Sequence, residues 1–178
     1  FGWILKPEDF EIGLDVFLTD IKRIPPSSVD PTIKNYHWID LVTGMLDAYE
    51  RGHQTAILVD ENNNISEGPG FNIFSVDKSG INTPDRGILE GITRQTVINL
   101  AKELKLKVNT KPISIEMLKS SDELFATSTA GGVMPITKVS GEKIGSGKVG
   151  DNTRKIHKLY WEKHSDLDWT LSVEDLLK

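Results

Sequence analysis

The chain has 178 residues, 38% of them hydrophobic, which suits one domain with a substantial core. A formal net charge of −5, with acids and bases interspersed, argues against nucleic acid or an anionic membrane as partner, though it leaves room for a local basic pocket. The absence of cysteine excludes disulfide frameworks, thiolate nucleophiles and zinc–thiolate sites, and no apolar run approaches the ~18 residues of a membrane span.

Phe1–Leu5 (FGWIL) reads as a strand from the middle of a fold, so a preceding portion of protein, or a processed end, is expected. No signal peptide is recognisable, which predicts a cytoplasmic protein. Gly13–Ile24 alternates near period 2, with Leu14, Val16 and Leu18 against Asp15, Phe17 and Thr19. Phe17 breaks the alternation, so both faces of this strand are expected to be covered. Pro25-Pro26-Ser27-Ser28 ends it as a loop. From Trp38 the period changes: Trp38, Leu41, Val42, Met45, Leu46 and Tyr49 predict a helix with that stripe buried, stopped at Gly52.

Ala56–Val59 predicts a buried strand, Asp60–Asn64 a turn, and Asn72–Val76 the returning strand. Thr93–Leu104 predicts a second amphipathic helix, with Val97, Leu100, Ala101 and Leu104 on one face. Ser114 is placed to cap a short helix through Lys119, and Glu123–Ala126 reads as another strand. Ile144–Gly150 is a glycine-rich loop, and Asp151–Lys163 a third helix. Strands and helices are mixed, with hairpins as well as crossovers, which favours an α+β fold.

Chemistry is concentrated in a few places. Ser66–Asn72 (SEGPGFN) sets Glu67 in a glycine-rich turn between strands; Gly68 and Gly70 let the backbone approach something flat or bulky. Gly91-Ile92-Thr93 opens a helix, where free N–H groups and the dipole favour an anion and the Thr93 hydroxyl adds a donor. Thr127–Gly132 (TSTAGG) follows a strand with a run of hydroxyls that suits a phosphate or a carboxylate. Lys34 is a candidate imine-forming amine, which requires partial desolvation or a neighbouring cation. Each has a bland explanation: a solvated lysine, a strand-end carboxylate, a helix cap, a polar turn. His37, His53, His157 and His164 show no metal-ligand spacing, Asp85-Arg86 reads as a turn pair, and Arg94 as structural.

Lys34-Asn35, SEGPGFN, GILEGITR (Gly87–Arg94) and TSTAGG occur together and in order, and the set resembles the fold-type IV pyridoxal-phosphate enzymes, the class IV aminotransferases, over roughly Trp3 to Trp161. That family includes branched-chain and D-amino-acid transaminases, aminodeoxychorismate lyases and (R)-selective amine transaminases. Arg23–Leu41, Thr83–Arg94 and Thr129–Thr137 look most like the (R)-amine branch; branched-chain enzymes usually carry a tyrosine where this chain has Ile39. The resemblance implies a mixed sheet or pseudo-barrel with flanking helices, pyridoxal 5'-phosphate as cofactor, and a homodimer acting on an amine or amino acid and a 2-oxo acid.

By the same resemblance, Lys34 is the Schiff-base lysine and proton carrier, and Glu67 pairs with the pyridine nitrogen. Ile92 and Thr93 form the phosphate cup, with Ser128 or Thr129 as second donor. Leu89 packs on one face of the ring, Gly70 and Phe71 near the other, and Trp38, Thr129 and Ala130 lie near the substrate. Pro69 stands where the family pattern has serine, and Ser128 where it often has threonine. Residues 1–178 are expected to be a single cofactor-binding domain, the large domain of such an enzyme, without the small N-terminal domain that supplies an arginine to the phosphate. The alternatives are a branched-chain or D-amino-acid transaminase and a non-catalytic fragment that needs the missing domain.

Overall fold

A computed structural model describes residues 6–173; the expected strand at Phe1–Leu5 lies outside them. In chain order the elements are α1 (Pro7–Ile12), β1 (Leu14–Lys22), α2 (Ile39–Glu50), β2 (Thr55–Val59), β3 (Asn72–Asp77), β4 (Gly80–Thr83), α3 (Ile92–Glu103), β5 (Val108–Thr110), α4 (Ile115–Lys119), β6 (Glu123–Ser128), β7 (Gly132–Val139), β8 (Glu142–Lys143) and α5 (Asp151–Glu162). The strands form one mixed sheet in the order β2-β1-β7-β6-β3-β4-β5, with β8 added to β7. Two crossovers, β1–α2–β2 and β4–α3–β5, join parallel neighbours, while β3, β6 and β7 pair antiparallel. No helix among the described residues is long and apolar enough to cross a membrane.

The sheet is covered on both faces. Leu14 and Val16 of β1, Ile57 and Val59 of β2, Ile73, Ala126 and Ile136 form one inner core. Phe74, Val76 and Phe125 point the other way and pack under α3 and α5, with Val97, Leu100 and Ile156. Ala56 and Leu58 face α2. Burial on both sides explains why AILV and NIFSV read as continuous apolar runs rather than alternating ones. One inner cluster spans strands from β2 to β3, and Arg23 at the end of β1 reaches Glu67 just before β3, although β7 and β6 separate β1 from β3. The sheet is therefore curled, and its concave side brings distant loops together.

Two expectations change. Of the stripe Trp38, Leu41, Val42, Met45, Leu46 and Tyr49, only Leu41 is on the buried face of α2: Leu46 and Tyr49 are each 53% exposed. The helix instead lays Leu41, Gly44 and Ala48 on the sheet, because small residues allow close approach; a Cβ on Gly44 would lie 2.9 Å from Leu58 Cδ1. Asn72–Val76 does not return alongside β2. Ser66 and Glu67 do, through Ser66 N–H to Leu58 O at 2.9 Å and Leu58 N–H to Glu67 O at 3.0 Å, and β3 then leaves to pair with β4 and β6.

Candidate functional site

A cavity of about 390 Å³ opens where the end of β1, the turn before β3, the entrance to α3 and the end of β6 converge. Its wall includes Lys34, Trp38, Glu67, Gly70, Phe71, Leu89, Ile92, Thr93, Ser128 and Thr129, so all but one of the sequence-predicted site residues meet there. The exception is Ala130, which is exposed and stands outside the wall. The Ser128 hydroxyl accepts from Gly131 N–H at 2.9 Å, closing the turn that carries Ala130 away.

Glu67 is placed by its turn. Gly68 and Phe71 exchange backbone hydrogen bonds, Gly68 N–H to Phe71 O at 3.1 Å and the reverse at 3.3 Å, with Pro69 and Gly70 between them. Pro69 presets the first corner position and Gly70, at φ +85°, supplies the left-handed second. Gly68 is required for space: Phe71 lies over it, and a Cβ there would sit 2.1 Å from the ring. The Glu67 carboxylate is then held on both oxygens. Oε1 accepts from Arg23 Nε at 3.1 Å, and Oε2 from Leu89 N–H at 2.9 Å and Asn72 Nδ2 at 3.4 Å. Burial raises the Glu67 pKa, against the opposing pull of the Leu89 N–H and of Arg23.

The entrance to α3 carries unclaimed donors. Gly91, the N-cap, has no side chain to cap the helix, and among the described residues the Ile92 and Thr93 N–H groups have no acceptor. Thr93 is buried, Ile92 exposed. Beside them, Thr127 Oγ1 is buried without a hydrogen-bond partner. A dianion fits this end, and the buried carboxylate of Glu67 fits a protonated ring nitrogen at another part of the wall, since three bonds leave acceptor capacity on it. A phosphorylated pyridine thus matches the donors and the acceptor that the cavity offers.

Lys34 is exposed on the wall, so partial desolvation, one of the two conditions that favour imine chemistry, is not met there. Its loop is shaped by its neighbours. Asp30 accepts from Thr32 N–H at 2.9 Å, and Asn35 accepts from His37 N–H at 2.8 Å while donating to Ile33 O at 2.8 Å. These side-chain turns bracket the lysine. Trp38, the N-cap of α2, leans over the turn, its Cη2 3.8 Å from where a Gly70 Cβ would stand.

A family model for class IV amino-transferases matches residues 5–139. This chain belongs to the class IV aminotransferases. The branched-chain-amino-acid aminotransferase of Escherichia coli K12 is 34% identical over 166 residues, covering 90% of this chain and 53% of that protein. Among solved structures, a T.th. branched-chain amino acid aminotransferase with pyridoxamine 5'-phosphate superposes with a TM-score of 0.86 at 29% identity, covering 91% of this chain and 54% of the other. The E. coli branched-chain enzyme gives 0.86 at 32% identity, with the same coverage of 91% and 54%. The chain spans just over half the length of these relatives. Their names match the branched-chain alternative of the sequence reading rather than its leading (R)-amine assignment. The curled α+β fold of the class IV family is the one found here.

Sequence reasoning missed Arg23, Asn72 and Thr127. Arg23 and Asn72 stand at the ends of the segments Arg23–Leu41 and Ser66–Asn72 with no role assigned to them, because their importance arises from contacts across the curled sheet. Thr127 was within the TSTAGG motif, but only the strand register shows that it faces α3 with Phe125 while its neighbour Ser128 is drawn into the turn. Arg94 is structural, as expected: it is buried and donates to Thr83 Oγ1 at 3.2 Å and Pro84 O at 2.9 Å.

Proposed function

We propose that residues 1–178 form the cofactor-binding unit of a pyridoxal-phosphate-dependent transaminase, which moves an amino group from an amino acid or amine to a 2-oxo acid. One observation carries the proposal: a primary amine, a buried carboxylate and an uncapped helix entrance line the same cavity, although they come from distant parts of the chain.

In this reading the Ile92 and Thr93 N–H groups, the Thr93 hydroxyl and Thr129 hold the phosphate, with Ser128 contributing what its turn leaves free. Leu89 on one side and Gly70 with Phe71 on the other flank the ring. Glu67 keeps the ring nitrogen protonated, and Asn72 and the Leu89 N–H hold that carboxylate in place. When bound, the cofactor supplies an electron-withdrawing ring that weakens the bonds beside the substrate nitrogen. Lys34 would hold the aldehyde end, and its amine would take up and return the proton at the substrate carbon. Its exposure in the open cavity leaves it free to swing between these tasks. Trp38 and Thr129 border the substrate.

For the donor, the names of the relatives support a branched-chain amino acid first. A second reading, an (R)-amine, is favoured by Trp38 and by the paired Gly131-Gly132. Homodimer formation is supported by Ile39, Leu46 and Tyr49, which leave an apolar strip of α2 exposed. Assays with L-leucine, D-alanine and (R)-1-phenylethylamine, using 2-oxoglutarate or pyruvate as acceptor, test the function. Highest activity with L-leucine is expected, preference for (R)-1-phenylethylamine selects the second reading, and no amino transfer from any donor counts against the proposal.

A further inference from the structure

Arg23 directly follows β1 and is only 8% exposed. Its Nε donates to Glu67 Oε1 at 3.1 Å and its Nη1 to Asp40 Oδ2 at 2.6 Å. One guanidinium thus joins carboxylates from two separate parts of the fold. Asp40 Oδ2 also accepts from the Ile24 N–H at 2.7 Å. Ile24 and Asp40 are the two ends of the stretch that carries Lys34, so a single carboxylate closes that loop at its base and binds the arginine that binds Glu67.

We propose that Arg23 and Asp40 are positioning residues that act as a clasp: together they set the protonation of Glu67 and shut the base of the Lys34 loop, so one ion network organises both the carboxylate and the amine of the cavity. What Glu67 and Lys34 then do rests on the proposed function; the clasp is a property of the chain itself.

The two carboxylates compete for one cation. Asp40 holds it at the shorter distance and has backbone donors besides. Burial alone would raise its pKa, but the Ile24 N–H, Arg23 and the Leu41 N–H together outweigh burial and hold it below the usual range. Glu67 is the more deeply buried partner with the longer bond, and burial, with a smaller push from the charge of Asp40, raises it. The titratable groups that face Glu67 are Arg23 from β1 and Asp40 from α2, with Lys34 from the loop and Glu90 from the entrance to α3 on the same cavity wall. The clasp therefore predicts shifts of opposite sign. Removing the arginine strands Glu67, which then keeps its proton to higher pH. Removing the Asp40 charge relieves a repulsion and frees Arg23 to serve Glu67 alone, so the proton leaves at lower pH. General loosening of the site would move both variants the same way.

The test uses the full chain without cofactor, carrying ¹³C-labelled glutamate, and follows the Glu67 carboxyl carbon by NMR as pH is changed. Glu67→Gln identifies the signal. Arg23→Gln is expected to raise the Glu67 midpoint by about one pH unit, tenfold in proton affinity, and Asp40→Asn to lower it. Asp40→Asn is also expected to speed hydrogen exchange of the Ile24 amide about tenfold, because a neutral acceptor replaces a charged one. If Arg23→Gln does not fold, Arg23→Lys is used, with a smaller shift in the same upward direction. Shifts of the same sign, no shift in either variant, or unchanged Ile24 exchange would overturn the clasp. Opposite shifts in a protein that captures no pyridoxal phosphate would leave the clasp standing and remove the proposed function. Capture without the opposite shifts would do the reverse.

Discussion

Replacing Gly68 by alanine tests how the turn positions Glu67. The new methyl would lie 2.1 Å and 2.4 Å from two atoms of the Phe71 ring and 2.6 Å from Ala56 O. Carbon atoms rest at about 3.5–4.0 Å, so the overlap with the ring exceeds an ångström. The ring can swing away, but Ala56 belongs to β2 and is held in register with Phe17 of β1. Overpacking of this kind costs about 1–3 kcal/mol. Driving Phe71 partly out of the core adds to that, since burying such a side chain is worth about 1.5–3 kcal/mol. A loss of about 3 kcal/mol is expected. Gly52→Ala is the control: Gly52 has φ +80° and no atom within 4 Å of the added methyl, so only the left-handed backbone penalty of about 1–2 kcal/mol applies. Urea unfolding followed by tryptophan fluorescence compares them. With a slope of about 1–3 kcal/mol per molar, Gly68→Ala should lower the midpoint by roughly 1 M or more, and visibly beyond Gly52→Ala. It should also weaken pyridoxal phosphate binding, which Gly52→Ala should not. Equal midpoints, or intact affinity in Gly68→Ala, would show that close packing at Gly68 does not position Glu67.

Thr93→Val removes a buried hydroxyl at the helix entrance. Loss of a hydrogen bond to a charged group, about 1.5–3 kcal/mol, should weaken pyridoxal phosphate binding about 10- to 100-fold in a fluorescence titration, while pyridoxal, which lacks the phosphate, binds unchanged. His157 lies against Phe10, with ring centroids 4.0 Å apart, and its Nδ1 is 2.9 Å from Val133 O. Burial lowers its pKa, only partly offset by that carbonyl. The unfolded chain therefore binds the proton more readily. The stability tied to a neutral His157 is present above the unfolded value of about 6.5 and is lost as pH falls below it toward the folded value. Thermal unfolding between pH 8 and 5.5 should show this fall, and His157→Gln should flatten it.

Much of the architecture was legible because local chemistry and tertiary packing agree. The Ser114 cap holds, accepting from Met117 N–H at 3.2 Å, and the runs AILV and NIFSV are strands because both faces of the sheet are covered. The helix from Trp38 was found but its buried face was misjudged. Large apolar residues set the periodicity, whereas contact with β1 and β2 selects Gly44 and Ala48 for their smallness. β7 was missed as an element, since Pro135 argues against a strand interior; it is tolerated at a position opposite Phe125. Most residues lining the cavity were legible from four short motifs taken together. Arg23 and Asp40 were not, because a buried ion network is a fact of the curled sheet and not of spacing along the chain.

Lys34 shares a cavity with Glu67 and the α3 entrance, and the proposed function has it bond there to a phosphorylated aldehyde. Incubation with pyridoxal 5'-phosphate, reduction with borohydride and mass analysis of peptides will show which amine takes the aldehyde. One reduced cofactor on the peptide containing Lys34, absent in Lys34→Ala, is the expected result. A cofactor fixed to another lysine, or trapping that persists in Lys34→Ala, would contradict it.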